Sequence, residues 1–185
     1  KDIEESLARL DFYHDPEALD KQYELEAMAI AADALMLYAR RYAELARSMA
    51  AAEKDPQRKK ELEKIAEVCD WVPAHAPRDF WEALQYYWFV HVGVTTEYNT
   101  WDSFNPGRLD QNLYPFYKKG LEDGTLTREW AKELLEAFWV KFNNQPAPPK
   151  VGVTAEESGT YTDFALINVG GLKPDGSDGA NELSY

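Results

Sequence analysis

The sequence predicts an α/β fold that is mostly helical, on three observations. Apolar residues recur at helical spacing across residues 1–142. That texture stops at Gln145-Pro146-Ala147-Pro148-Pro149, because proline removes a backbone donor and clashes with the preceding turn. Beyond it, Phe164-Ala165-Leu166-Ile167-Asn168-Val169 is a short apolar run closed by Gly170-Gly171, the pattern of a buried strand. Residues 1–142 are therefore expected to be helical, and 143–185 to hold a loop, a strand and the start of another helix.

Taken in order, a short helix is expected over Ile3 to Leu10. Asp15-Pro16 then gives an N-cap acid followed by proline at the first helical position. The long amphipathic helix it opens runs to Glu53, with Leu25, Met28, Ala32, Leu35, Tyr42, Leu45 and Met49 as its apolar positions. Arg40, Arg41, Glu44 and Arg47 fit a solvated face. Asp55-Pro56 repeats the start signal for a helix to Val68 that places Leu62, Ile65, Ala66 and Cys69 on one side.

Pro73 and Pro77 break the chain. The next segment, Phe80 to Val94, is apolar nearly all round, which describes a helix buried in a large protein. Leu109 to Leu121 reads as a helix bent at Pro115. Asp123-Gly124 is a turn, and Thr127 caps a helix carrying Trp130, Leu134, Leu135, Phe138 and Val140. Pro174-Asp175-Gly176 is a second turn, and Asn181-Glu182-Leu183-Ser184-Tyr185 looks like a helix start. Both ends are expected to continue into a longer polypeptide.

Composition excludes several functions. The net charge of −13 opposes phosphate binding, so nucleic acid and anionic membrane surfaces are not expected partners. With one cysteine, Cys69, an internal disulfide is impossible, and a reducing, cytoplasmic setting fits. His14, His75 and His91 lie far apart with no metal-binding spacing, and Cys69 has no nearby cysteine partner, so no metal is expected. Cys69 sits among apolar neighbours and reads as a core side chain. Gly170-Gly171 lacks the rest of a phosphate loop and reads as a turn or a close backbone approach.

Two polar stretches could carry chemistry. Glu97 to Arg108 follows a buried helix yet holds Glu97, Asn99, Asp102, Asn105 and Arg108. Buried polar groups are costly unless paired. The stretch is either a structural network, with Asp102 or Asp110 pairing Arg108, or the wall of a polar pocket. Glu157-Ser158-Gly159-Thr160-Tyr161-Thr162-Asp163-Phe164 precedes the expected strand and is dense in hydroxyls. It is either an ordinary strand entry or a ligand-binding edge. Spacing alone leaves both pairs of readings open.

The motifs add a resemblance. Pro106-Gly107-Arg108-Leu109-Asp110-Gln111, followed by Leu113-Tyr114-Pro115-Phe116-Tyr117, is similar to the Gly-Arg-x-Asp-Gln and Tyr-Pro pattern of the glycyl radical enzymes, the pyruvate formate-lyase-like family. So is Asn168 to Gly171 with Asp175-Gly176, Asp178 and Asn181-Glu182-Leu183. Blocks such as Val72-Pro73-Ala74-His75, Tyr87-Trp88-Phe89-Val90-His91, Trp139 to Gly152 and Thr160 to Phe164 resemble the branch that dehydrates trans-4-hydroxy-L-proline.

The resemblance implies the N-terminal, helix-rich part of a ten-stranded α/β barrel, with its first strand near 164–169. It implies a glycyl radical installed by a radical-SAM activase, a thiyl radical that takes hydrogen from the carbon next to nitrogen, and loss of the C4 hydroxyl as water. It further implies a homodimeric parent enzyme acting on a small molecule. Matching positions make Asp102 a polar residue at the leaving hydroxyl, Ser158 a substrate-binding hydroxyl and Phe164 an apolar wall. The family's thiyl cysteine stands in Gly-Cys-x-Glu, whereas Cys69 stands in Val68-Cys69-Asp70-Trp71. The thiyl and glycyl positions are accordingly expected beyond Tyr185, and the chain alone is expected to be inactive. The rival expectations are another glycyl radical eliminase, or a helical interaction module without chemistry.

Overall fold

The computed structural model describes residues 1–97, 105–144 and 166–185. They fall into two compact units, 1–66 and 67–185.

In the first unit, α1 (Asp2–Leu7) is shorter than expected and packs on α2 (Ala18–Ala52). The Asp15-Pro16 signal acts as a turn before the helix proper. Asp15 Oδ1 accepts from the Glu17 N–H at 3.0 Å, and Lys21 Nζ reaches Asp15 Oδ2 at 2.8 Å. At its 35 residues, α2 is about 52 Å long. Its buried stripe is Ala39, Ala43, Ala46 and Ala50. Met28, Tyr42, Leu45 and Met49, expected to fill that role, are each about half exposed, which corrects the reading of that helix. The physical reason is that large and small apolar residues both keep the 3.6-residue period. Periodicity shows that apolar faces exist but does not say which one is covered.

Helix α3 (Pro56–Trp71) starts at its proline, with the Gln57 N–H donating to Asp55 Oδ1 at 2.9 Å. Leu62 and Ala66 are buried on it, as the spacing requires.

The second unit is built around α4 (Phe80–Glu97). Phe80, Ala83, Leu84, Trp88, Phe89, His91 and Val92 are all buried, matching the all-round apolar pattern. Its N-terminus is capped by Asp79, whose Oδ1 accepts from the Glu82 N–H at 2.8 Å. Glu82 is itself fully buried, and a buried charge needs partners. Arg78 supplies them: its Nε lies 3.0 Å from Glu82 Oε1, and its N–H donates to Glu82 Oε2 at 2.7 Å. The guanidinium also rests 4.2 Å from the Trp71 ring centroid.

Two helices pack on α4: α5 (Leu109–Glu122) and α6 (Arg128–Asn144). Leu109, Leu113, Tyr117 and Gly120 form the buried stripe of α5, and Pro115 lies within that helix without ending it. Thr127 caps α6 as expected, its Oγ1 accepting from the Trp130 N–H at 3.1 Å. Ala131, Leu134, Phe138 and Phe142 are the buried positions of α6, whereas Val140 is 54% exposed. Rings lock α6 to α4. Phe142 lies 5.3 Å from Trp88 and 5.0 Å from His91, both edge-on, and Phe138 meets Tyr87 at 5.8 Å. Edge-to-face pairs add about 0.5–1.5 kcal/mol each beyond area burial.

Cys69 is buried, and burial pushes its thiol up to about 11, with nearby Lys141 opposing the shift. It is a core side chain. The expected strand at 164–169 begins outside the described residues. Its described part makes a single parallel bridge, Arg108 with Asn168, so among the described residues no strand forms. A strand exists only where neighbours pair along its length, and here one neighbour pairs at one place. Among the described residues, no helix is long and apolar enough to cross a membrane.

Phe138 meets rings of both α4 and α6. Phe138→Ala should therefore cost about 3–5 kcal/mol. Urea unfolding followed by tryptophan fluorescence checks this as a lowered midpoint with an unchanged slope.

Candidate functional site

A polar junction forms at the start of α5, where the sequence between Asn105 and Gln111 meets the segment 166–185. Asp102, Ser158 and Phe164, the expected site residues, lie outside the described residues. Their downstream flanks are described, and the structure brings those flanks together.

The meeting begins at Asn105, whose Oδ1 accepts from the Leu166 N–H at 2.6 Å. Gly107 has a φ of 66°, a conformation that glycine adopts without cost and which turns the chain toward Asn168. The Asn168 N–H donates to the Gly107 carbonyl at 3.3 Å, and the Leu109 N–H donates to the Asn168 carbonyl at 3.3 Å. Arg108 Nη1 donates to the Leu172 carbonyl. Of the two partners expected for Arg108, Asp110 makes other bonds, and Asp102 lies outside the described residues.

Asp110 follows, buried to 2% exposure. Its Oδ2 accepts from the Gly170 N–H at 2.7 Å and from the Ser184 hydroxyl, and its Oδ1 accepts from the Gln111 N–H at 2.8 Å. Burial pushes this carboxyl up, but the bonds from Ser184, Gly170 and Gln111 outweigh it and hold the group below the ordinary carboxylate range. Gln111 completes the contact by donating from Nε2 to the Gly170 carbonyl at 2.7 Å. One glycine thus has its N–H and its C=O read by adjacent residues of α5.

The far side of the segment is equally fixed. Pro174-Asp175-Gly176 makes the expected turn, with the Gly176 N–H on the Lys173 carbonyl at 3.0 Å and an antiparallel bridge between Leu172 and Asp178. The Gly179 N–H donates to the Gly171 carbonyl at 2.6 Å. The expected helix start at Asn181 is a 3-10 turn, Glu182–Ser184, closed by a capping box. Asn181 Oδ1 accepts from the Leu183 N–H at 3.0 Å, and Ser184 Oγ accepts from the Asn181 N–H at 2.9 Å. Glu182 is held by the Tyr117 hydroxyl at 3.1 Å and by Arg128 at 3.0 Å. Burial first, then the bond to Glu182, raises the Tyr117 hydroxyl above its ordinary value.

Gly179, Ser184 and Asn105 were not singled out for these roles by pattern reading. Only the Asn181-x-x-Ser184 spacing carried a usable signal, because it resembles a capping box. Asn105 and Ser184 act through contacts 61 and 74 residues away in sequence. Among the described residues, no group of three or more His, Cys, Asp or Glu side chains could hold a metal ion.

The family model described as pyruvate formate lyase-like matches residues 1–185. The chain belongs to this family. It is 62% identical over 185 residues to the trans-4-hydroxy-L-proline dehydratase of Clostridioides difficile, a match covering all of this chain and 23% of that protein. The crystal structure of the hydroxyproline dehydratase from the same organism with trans-4-hydroxy-L-proline bound superposes with a TM-score of 0.93 at 61% identity, covering all of this chain and 23% of that one. A glycyl radical enzyme from Archaeoglobus fulgidus superposes at 0.85 with 35% identity, again over all of this chain and 23% of that one. The chain spans about a quarter of the length of these family relatives. The helical fold described above is the one these glycyl radical enzyme structures carry over the matched stretch.

Two outcomes follow for this junction. A Cβ at Gly179 would stand 2.7 Å from Gln111 Cδ and 2.8 Å from the Gly171 carbonyl oxygen, a backbone atom that cannot swing away. Gly179→Ala should therefore destabilise by about 1–3 kcal/mol, read as a lower urea midpoint. The second concerns pH. Asp110 titrates lower folded than unfolded, so its contribution is fully present above about 3.9, the unfolded value, and is lost as pH falls through the lower folded value. Asp110→Asn should flatten the fall in unfolding free energy below pH ~4, measured by urea titrations across that range.

Proposed function

We propose that this chain is part of a glycyl radical dehydratase that removes water from trans-4-hydroxy-L-proline to give a pyrroline-5-carboxylate. The observation that carries the reading is the 62% identity to the C. difficile dehydratase across the whole chain. The substrate-bound relative with a TM-score of 0.93 supports it.

In this reading, residues 1–142 belong to the helical part of the domain, and 143–185 lead into the first strand of a ten-stranded barrel. Exposure of Leu166 at 67% and Val169 at 52% supports a strand whose remaining neighbours come from elsewhere in the parent. Unpaired strand edges and bare apolar side chains are ordinarily covered in a finished fold.

A glycyl radical, installed by a radical-SAM activase, supplies the hydrogen-atom chemistry through a cysteine thiyl at the carbon next to nitrogen. Cys69 does not fit that role, because it is buried and its thiol is pushed up to about 11. This chain's part is substrate handling. Asp102 stands at the C4 hydroxyl and gives the proton with which that group leaves as water. Ser158 hydrogen-bonds the substrate, and Phe164 forms an apolar wall that keeps water and stray hydrogen donors from the radical. The parent acts as a homodimer in the cytoplasm, a setting that the single cysteine supports.

The test uses the full-length parent, activated without oxygen by its activase. It should show a glycyl EPR doublet and convert trans-4-hydroxy-L-proline, and Asp102→Asn should cut turnover by at least about a hundredfold while the doublet stays. An activated parent that leaves hydroxyproline untouched but consumes a diol, glycerol, choline or an arylacetate would overturn the substrate assignment.

A further inference from the structure

We infer that the exposed face of α2 is where two copies of the parent meet, helix against helix and antiparallel, an assembly that rests on the homodimer of the reading above and owes nothing to the substrate assigned there. Among the described residues 18–37, only Ala18 is buried. Tyr23, Ile30 and Leu37 are 60%, 70% and 52% exposed, and they recur every seven residues, so they share one face of the helix. Ala27 and Ala34, also exposed, stand four residues after Tyr23 and Ile30. They complete the alternation of fours and threes by which two helices interlock. Short side chains there let two backbones approach closely.

The face fits a second copy because its pattern is symmetric about Ile30. Tyr23 and Leu37 stand seven residues to either side. When two copies of α2 lie end for end, Ile30 meets Ile30, Tyr23 of one copy meets Leu37 of the other, and Ala27 meets Ala34. This is the self-complementary contact of a two-fold dimer, in which each unlike pair occurs twice. Charge selects the antiparallel direction. Up to residue 35, Asp20, Glu24, Glu26 and Asp33 outnumber Lys21, whereas beyond it Arg40, Arg41 and Arg47 outnumber Glu44. The antiparallel pair sets Asp20 beside Arg41 at both ends of the contact, and a parallel pair would set like charges together. Glu26 and Asp33 flank the middle and repel across it, but both are exposed and screened by solvent. A cover supplied by the rest of the parent would have no use for the symmetry.

The experiment measures the mass of the full-length parent by sedimentation, with hydroxyproline turnover of the activated enzyme assayed separately. The unaltered enzyme should sediment as a dimer. Ile30→Glu, which sets two carboxylates against each other, should raise the dimer dissociation constant by at least about a hundredfold, with the thermal midpoint of the dissociated protein showing an intact fold. Asp20→Arg and Arg41→Asp should each weaken pairing by about fivefold, and the two together should restore it. Ile30→Cys should give a crosslink between copies with a short bismaleimide. Tyr23→Cys, about 21 Å from its own counterpart in this arrangement, should give none beyond those of the unaltered enzyme. A monomeric parent, or a dimer that Ile30→Glu leaves as tight as before, overturns the inference. An Ile30→Glu enzyme that melts early or aggregates at undiminished mass overturns it too, since that marks a face covered by the rest of the parent. These outcomes leave the hydroxyproline reading standing, which is judged by whether the activated unaltered enzyme converts hydroxyproline.

Discussion

The arrangement of residues 166–185 depends on one carboxylate. Asp110 is buried, and it accepts from the Gly170 N–H, the Ser184 hydroxyl and the Gln111 N–H. An ionised group so placed is stable only because both of its oxygens find donors. The requirement runs both ways. Because the carboxylate must be satisfied, Gly170 and Ser184 cannot drift, and the hairpin between them is held at both ends. The glycines follow from the same demand. Gly171 and Gly179 approach each other closely enough for a 2.6 Å backbone bond, and a Cβ at Gly179 would collide with Gln111.

The carboxylate is in turn held by what lies beneath it. Leu109, Leu113 and Tyr117 fix α5 against α4, and the rings of Trp88, His91, Phe138 and Phe142 fix α6 there too. Buried aromatic packing of this density leaves few alternative positions for the helix start that carries Asp110. The polar junction therefore inherits its precision from an apolar base, which explains why a segment with so little regular secondary structure of its own is placed definitely.

Much of this was legible in the sequence for local reasons. Asp55-Pro56, Thr127 and Pro174-Asp175-Gly176 act within a few residues of themselves, and each does in the structure what its spacing requires. The apolar pattern of α4 was equally readable, since most of its circumference is buried or half-buried and only Tyr86 of its named apolar residues is exposed. The apolar face of α2 was misassigned, because a helical period cannot rank a stripe of alanines against one of tyrosine, leucine and methionine. The strand expected at 164–169 lies partly outside the described residues, and its described part pairs at one place, since β-propensity describes a segment whereas pairing needs a neighbour. Of the candidate site, the motif from Gly107 to Gln111 was visible by likeness. The partners of Asp110 were not, since Gly170 and Ser184 lie 60 and 74 residues away.

Of the two readings of the stretch ending at Arg108, structural network or pocket wall, the described residues 105–108 show network contacts. Arg108 was expected to need a carboxylate from Asp102 or Asp110. Its guanidinium is exposed and spends a donor on the Leu172 carbonyl, Asp110 is engaged by three other donors, and Asp102 lies outside the described residues. Asn105 belongs to the same network, since its side-chain carbonyl accepts from the Leu166 N–H across 61 residues of sequence.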